Sequence, residues 1–124
     1  MKKHPLVAVR PSSIHGRGLF ARRNISWGVR IIRYSGERIN DAEANRRIDR
    51  GADGIFELAP DENIDGRVNG SLAQFINHNR KAPNCFVLRH DGEIWIVAGI
   101  NGVKSGQELT YDYGTDYFGA RRAD

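Results

Sequence analysis

Apolar positions along this chain come in short bursts between glycine, asparagine and proline breaks. Leu6 to Arg10 is one such run, stopped by Pro11; Gly18 to Arg22 and the mostly apolar Val29-Arg30-Ile31-Ile32-Arg33-Tyr34 are two more, and each reads as a short strand. Cys85 to His90 and Glu93 to Ala98 are β-rich and joined by Asp91-Gly92, the two-residue signature of a type I′ hairpin. Leu109 to Tyr113, after a Ser105-Gly106 turn, is the last apolar element. Helical patterning is confined to two places. Asn40-Asp41-Ala42-Glu43 sets a capping residue three positions before a glutamate, and Gly51 closes the segment, which predicts a polar surface helix over 41–50. Ser71 to His78 predicts one short helical turn behind a serine cap. Many short strands and two minor helices predict a mainly β fold, with sheets folded over one another.

Composition narrows this reading. A chain of 124 residues fits one domain, 1–124, with no repeat or low-complexity tract dividing it. Its 40% hydrophobic and 27% charged residues suit a globular protein rather than a disordered one. Glycine, at 14 residues against 4 prolines, exceeds the usual ~7% and points to many turns and close backbone approaches. The lone Cys85 supports neither an internal disulfide nor a cysteine-rich zinc site, and no metal site is expected. No long apolar stretch is present and no apolar run follows the basic start, so neither a membrane span nor a secretory signal is expected. The expected location is cytoplasmic, with nuclear or host-delivered settings left open. The net charge of +4 comes mainly from 15 arginines scattered between Arg10 and Arg122. They form either a solvated basic surface or a clamp for polyanions, and nucleic acid stays open as a partner.

Four stretches carry candidate chemistry. His15-Gly16-Arg17-Gly18-Leu19-Phe20 holds a Gly-x-Gly, which lets backbone N–H groups approach a ligand or simply makes a tight turn; without a third glycine and a following helix it is no dinucleotide fingerprint. Phe75-Ile76-Asn77-His78-Asn79 sets amide and imidazole beside an apolar anchor, suited to a small polar molecule or to a satisfied core histidine. In Glu108-Leu109-Thr110-Tyr111-Asp112-Tyr113-Gly114, extended geometry points Tyr111 and Tyr113 the same way, as pocket walls or as core with hydroxyls at the rim. Tyr34-Ser35-Gly36-Glu37 ends a strand in a turn and adds a third phenol if that strand neighbours 109–113.

In this order and spacing, the four stretches resemble the SET domain, the fold of many protein lysine methyltransferases. The family's Gly-x-Gly-Leu-Phe-Ala is matched at Gly16 to Ala21 and its Tyr-x-Gly-Glu at Tyr34 to Glu37. Its Asn-His with a downstream Pro-Asn is matched at Asn77, His78, Pro83 and Asn84, and its Gly-Glu-Glu-Leu-Thr-Tyr-Asp-Tyr at Gly106 to Tyr113. The likeness runs from about Leu6 to Gly114, leaving 115–124 as a short tail. It implies a mainly β, β-clip-like set of small curved sheets with a C-terminal pseudoknot. It also implies S-adenosylmethionine held by Gly16, Arg17, Gly18, Gln74, Asn77 and His78. The target lysine of a protein substrate, a histone or another basic protein, would enter a channel lined by Tyr34, Tyr111 and Tyr113, with Tyr113 catalytic. Tyr111 stands where the family has Phe or Tyr, which implies mono- or dimethylation.

The chain also departs from the family pattern. Gln74 stands where many members have Arg, Asn79-Arg80 replaces a common Ser-Cys, and no cysteine cluster follows. Closure of the channel is then expected from Tyr117 or Phe118, or from a second subunit in a homodimer. An acidic groove for a basic peptide is expected from Asp41, Glu43, Asp53, Glu57, Asp61, Glu62 or Asp65. The alternative is a non-catalytic module of the same fold that binds protein or nucleic acid.

Overall fold

The computed structural model describes residues 3–112. Ten strands, one α-helix and one 3₁₀ turn form four small sheets. Strands β1 (Val7–Pro11) and β2 (Arg17–Ala21) make an antiparallel pair in which Pro11 lies opposite Arg17 at the sheet end, one residue beyond the expected stop. Strand β3 (Arg30–Tyr34) joins β8 (Cys85–His90) and β9 (Glu93–Ala98) in the order β3-β9-β8. The Asp91-Gly92 turn takes positive φ at both residues, 52° and 72°, as a type I′ hairpin requires.

The third sheet, in the order β4-β6-β5, was not predicted. It consists of β4 (Glu37–Ile39), β5 (Ile55–Ala59) and β6 (Glu62–Asp65), and it flanks helix α1 (Asp41–Asp49). The helix is capped as expected: the Asn40 side chain accepts from the Glu43 N–H at 2.9 Å. Its apolar face, Ala44 and Ile48, packs with Ile55 into a small satellite core separate from the main one.

The segment expected to form one helical turn over Ser71 to His78 divides in two. Ser71 caps a 3₁₀ turn, η1 (Leu72–Phe75), and Asn77–His78 then form strand β7. Strand β7 pairs in parallel with β10 (Thr110–Tyr111), with Asn77 opposite Thr110 and His78 opposite Tyr111. This is the C-terminal pseudoknot, and it joins segments more than thirty positions apart. Asn84 fastens it from the side, donating to the Glu108 carbonyl at 2.7 Å and accepting from the Thr110 N–H at 2.8 Å. The main core runs from Val7 and Leu19 through Ile31, Ile94 and Ile96 to Leu109 and Tyr111, so the pseudoknot lies against the centre of the molecule. No described helix is long and apolar enough to cross a membrane.

Candidate active site

The turn between β1 and β2 is bound to the pseudoknot. Ser12 donates its backbone N–H to the Gly16 carbonyl at 2.8 Å, and its hydroxyl oxygen accepts from the Ile14 N–H at 2.9 Å. That hydroxyl in turn donates to the Glu108 carboxylate, 2.8 and 2.9 Å from its two oxygens. The Asn77 amide nitrogen lies 2.8 Å from Glu108 Oε2, 3.0 Å from the His15 carbonyl and 3.1 Å from the Arg17 carbonyl. Asn77 is only 7% exposed, so its side chain spends its donors on holding the turn. Gly18 backs directly onto this group, where a Cβ would collide with the Glu108 carboxylate. The second glycine of the Gly-x-Gly is therefore needed for a close approach.

In front of the turn lies a cavity of about 290 Å³. Of the expected cofactor residues, Gly16, Arg17, Gln74 and Asn77 line it, together with Phe75 and Ile76. Gly18 and His78 do not. Gly18 sits behind the wall against Glu108, and the His78 ring turns towards Asp112, with Nδ1 3.9 Å from Oδ1. Gln74 donates to the Ser71 carbonyl at 3.3 Å.

The opposite wall of the cavity is Tyr34, Phe56, Gly54, Asp53 and Arg67. Strand β3 pairs with β9, so Tyr34 is not a strand neighbour of 110–111. It reaches Tyr111 through Phe56, whose ring is tilted against that of Tyr34 at 4.2 Å between centroids and stacked on that of Tyr111 at 5.5 Å. Tyr34 is 1% exposed and donates its hydroxyl to the Gly54 carbonyl at 2.5 Å. Gly66 packs flat against this phenol, and a Cβ there would collide with the ring and hydroxyl. Tyr111 is also buried. Tyr113, Tyr117 and Phe118 lie outside the described residues.

The acidic stretch from 41 to 65 does not form an open carboxylate groove. Arg47 binds three of its neighbours, Glu37 at 2.6 Å, Glu43 at 2.7 Å and Asp65 at 2.9 Å, and Arg46 also pairs with Glu43. Hydrogen bonds from Arg46 and Arg47 hold the Glu43 carboxyl down at about 2. Asp53 pairs with Arg67 at 2.9 Å, and Asp61 accepts from the Asp41 N–H at 2.9 Å. Of the acids in this stretch Glu57, Asp61 and Glu62 are exposed and are not held in an ion pair with the arginines named above. Cys85 is buried beside Thr110; burial pushes its thiol up to about 12, against a smaller opposing pull from the Thr110 N–H. Among the described residues no group of three or more His, Cys, Asp or Glu is placed to hold a metal.

Sequence reasoning missed Phe56, Glu108 and Ser12. Glu108 lies inside a recognised stretch, yet only the pairing of β10 with β7 shows that its carboxylate meets Asn77. Phe56 sits on a strand that the sequence pattern did not reveal.

Four small sheets closed by a parallel C-terminal pair, with a glycine turn and an Asn-His strand around one cavity, define a recognisable class. The model of the SET domain matches residues 16–114, and the chain belongs to that family. Human histone-lysine N-methyltransferase 2B is 39% identical over 116 residues, covering 86% of this chain and 4% of that protein. The H3 lysine-4 specific histone-lysine N-methyltransferase of Schizosaccharomyces pombe is 38% identical over 112 residues, covering 83% of this chain and 12% of that protein. The chain thus spans a small part of the curated relatives it matches. A solved structure described as ctPRC2 in an autoinhibited conformation bound to S-adenosylmethionine superposes with a TM-score of 0.81. It has 27% identity and covers 95% of this chain and 16% of that one.

Proposed function

We propose that this chain transfers methyl groups from S-adenosylmethionine to lysine side-chain amines of a protein substrate. The observation that carries the proposal is the cavity in which the Gly16-Arg17 backbone and the Asn77 strand face Tyr34 and Phe56. A wall of Phe75 and Ile76 beside the turn suits a flat base, and the polar turn suits an amino-acid end, so the residues present fit the cofactor. Gly16, Arg17, Gln74 and Asn77 would hold it at the wall, with Gly18 and His78 supporting from behind. When bound, it supplies a methyl group on a sulfonium, whose positive charge disfavours a neighbouring ammonium.

The remaining task falls to the chain's own residues. A lysine near pH 7 must lose its proton before it can attack, at a cost of about 4 to 5 kcal/mol. An apolar aromatic channel disfavours the charged form and lowers that cost. Tyr34 and Phe56 supply buried aromatic surface next to the cavity, and Tyr111 extends it. Tyr113, by its position in the motif, is the catalytic hydroxyl at the reacting centre, and Tyr117 or Phe118, or a second copy of the chain, closes the channel. Alignment of amine and methyl carbon in a dry site is then the main source of rate.

The relatives are named as histone-lysine methyltransferases, which supports a basic protein of the histone kind as substrate and a working compartment that holds such proteins. A labelled-methyl transfer assay against histones and other lysine-rich proteins tests the reading. Transfer by the wild type and its loss in Tyr113→Phe, with S-adenosylmethionine still bound by calorimetry, is the expected result. Cofactor binding with no transfer to any such protein would leave a binding module instead.

A further inference from the structure

The sheet β3-β9-β8 has one face in the core and an outer face that is partly open, with Val97 buried in it and Trp27 and Phe86 exposed. Strand register sets Arg30, Val97 and Phe86 in one row across the outer face and Arg33, Trp95 and Leu88 in the next. Trp27, in the turn before β3, lies over the same face with its ring 5.8 Å from Phe86. Trp27 is 58% exposed and Phe86 39%, which is unusual for large rings that touch each other. The Arg30 guanidinium lies 5.8 Å above the Trp95 ring. None of these residues lines the cavity described above.

The charge around the rings is mostly positive. Arg30, Arg33 and Arg38 surround the face; Arg33 and Glu93 pair at 2.5 Å and offset each other, which leaves Arg30 and Arg38 as its net positive charge against Asp91 at the hairpin tip. Arg38 crosses to the hairpin end and donates to the Gly92 carbonyl at 2.7 Å, and at that tip an Asp91 carboxylate oxygen lies 3.2 Å from His90 Nε2. The chain as a whole carries the same sign, at +4. Exposed rings on a sheet with guanidinium groups beside and above them suit a ligand made of flat bases on an anionic backbone. In single strands the base faces are free to stack, whereas in a duplex they are covered.

We propose that the outer face of the β3-β9-β8 sheet binds single-stranded nucleic acid, with bases stacked on the exposed rings of Trp27 and Phe86 and a phosphate met by Arg30. This function is separate from the methyl-transfer site and does not rest on it.

The chain has two tryptophans, and both lie on this face, so intrinsic fluorescence reports on it directly. Short oligouridylate and oligothymidylate, titrated into the whole chain, are expected to quench that fluorescence, and a duplex of the same length to bind more weakly. Trp27→Ala and Phe86→Ala are each expected to weaken binding about tenfold. Arg30→Ala should lower the slope of log affinity against log salt by about 1. Circular dichroism of each variant, unchanged from the wild type, shows that the loss is local. Absence of quenching overturns the proposal. So does binding that Trp27→Ala/Phe86→Ala leaves intact, which would assign it to scattered arginine charge. A wild-type dimer in sedimentation that this double variant dissolves, with no oligonucleotide bound, would make the face a protein interface and overturn it equally.

Discussion

Glu108 carries more of the site than its place in the sequence suggests. Its carboxylate is the shared acceptor for Ser12 and Asn77, and those two residues hold the turn that forms one wall of the cavity. Hydrogen bonds to a charged group contribute about 1.5–3 kcal/mol each, so Glu108→Ala is expected to weaken S-adenosylmethionine binding tenfold or more by calorimetry. Glu108→Gln, which keeps an acceptor, should retain most of the affinity. Gly18→Ala should behave like the alanine variant, because the new methyl enters the space of the same carboxylate. Tyr111→Phe removes a hydroxyl from a buried ring beside Phe56 and is expected to raise the number of methyl groups added, read by intact mass. Mainly trimethyl product from the wild type would reject that role. Cys85 offers a test of burial. Its folded pKa lies above its unfolded one, so its contribution is fully present below about pH 9 and is lost as pH rises towards 12. Wild-type stability should therefore fall relative to Cys85→Ala across that alkaline range in denaturant titrations, and the native thiol should resist alkylation at neutral pH.

The elements differ in what sets them. Helix α1 is written locally, by the Asn40 cap and the Glu43 that follows it, and Asn40→Ala is expected to cost about 1 kcal/mol in chemical denaturation. The hairpin is also local, in its Asp-Gly turn. Strands β4, β5 and β6 are not: β4 and β6 hold one apolar residue each, and the mostly apolar β5 is interrupted by Glu57. The sheet closes by backbone pairing of β6 with β4 and β5, and Arg47 ties β4, α1 and β6 together through Glu37, Glu43 and Asp65, an arrangement no window of sequence contains. The same arginines explain why an acidic groove is absent. Of the carboxylates that could meet a basic peptide, Glu57 is exposed and has no cation partner among the described residues, so Glu57→Lys is expected to weaken peptide affinity. Asp61→Lys should act mainly on stability, because Asp61 accepts from the first residue of α1. An equal loss of peptide affinity in both variants, at unchanged stability, would restore the groove. The cavity lining was legible at Gly16-Arg17 and at Asn77, where a motif set the residues side by side, but not at the adjacent Gly18 and His78, which lie outside it. The site was illegible where two distant segments meet, as with Glu108 behind Gly18.

At the scale of the whole molecule, the order of construction differs from the order of the chain. The cavity walls come from residues 15–17, 34, 53, 54, 56, 67 and 74–77, all in the first two-thirds of the sequence. The carboxylate that straps them and the strand that pairs with β7 come only at 108–111. Contacts of such long separation form late in folding, and refolding followed by fluorescence is expected to be slower than for a helical protein of this size. The same geometry has a consequence during synthesis. At about 5–20 residues per second, a ribosome delivers the whole glycine turn and the Asn-His strand well before it delivers Glu108. At the start of that interval the nascent chain holds every residue that lines the cavity but neither the strand that pairs with β3 nor the carboxylate that clasps the turn, so cofactor capture is expected only after the pseudoknot strand emerges.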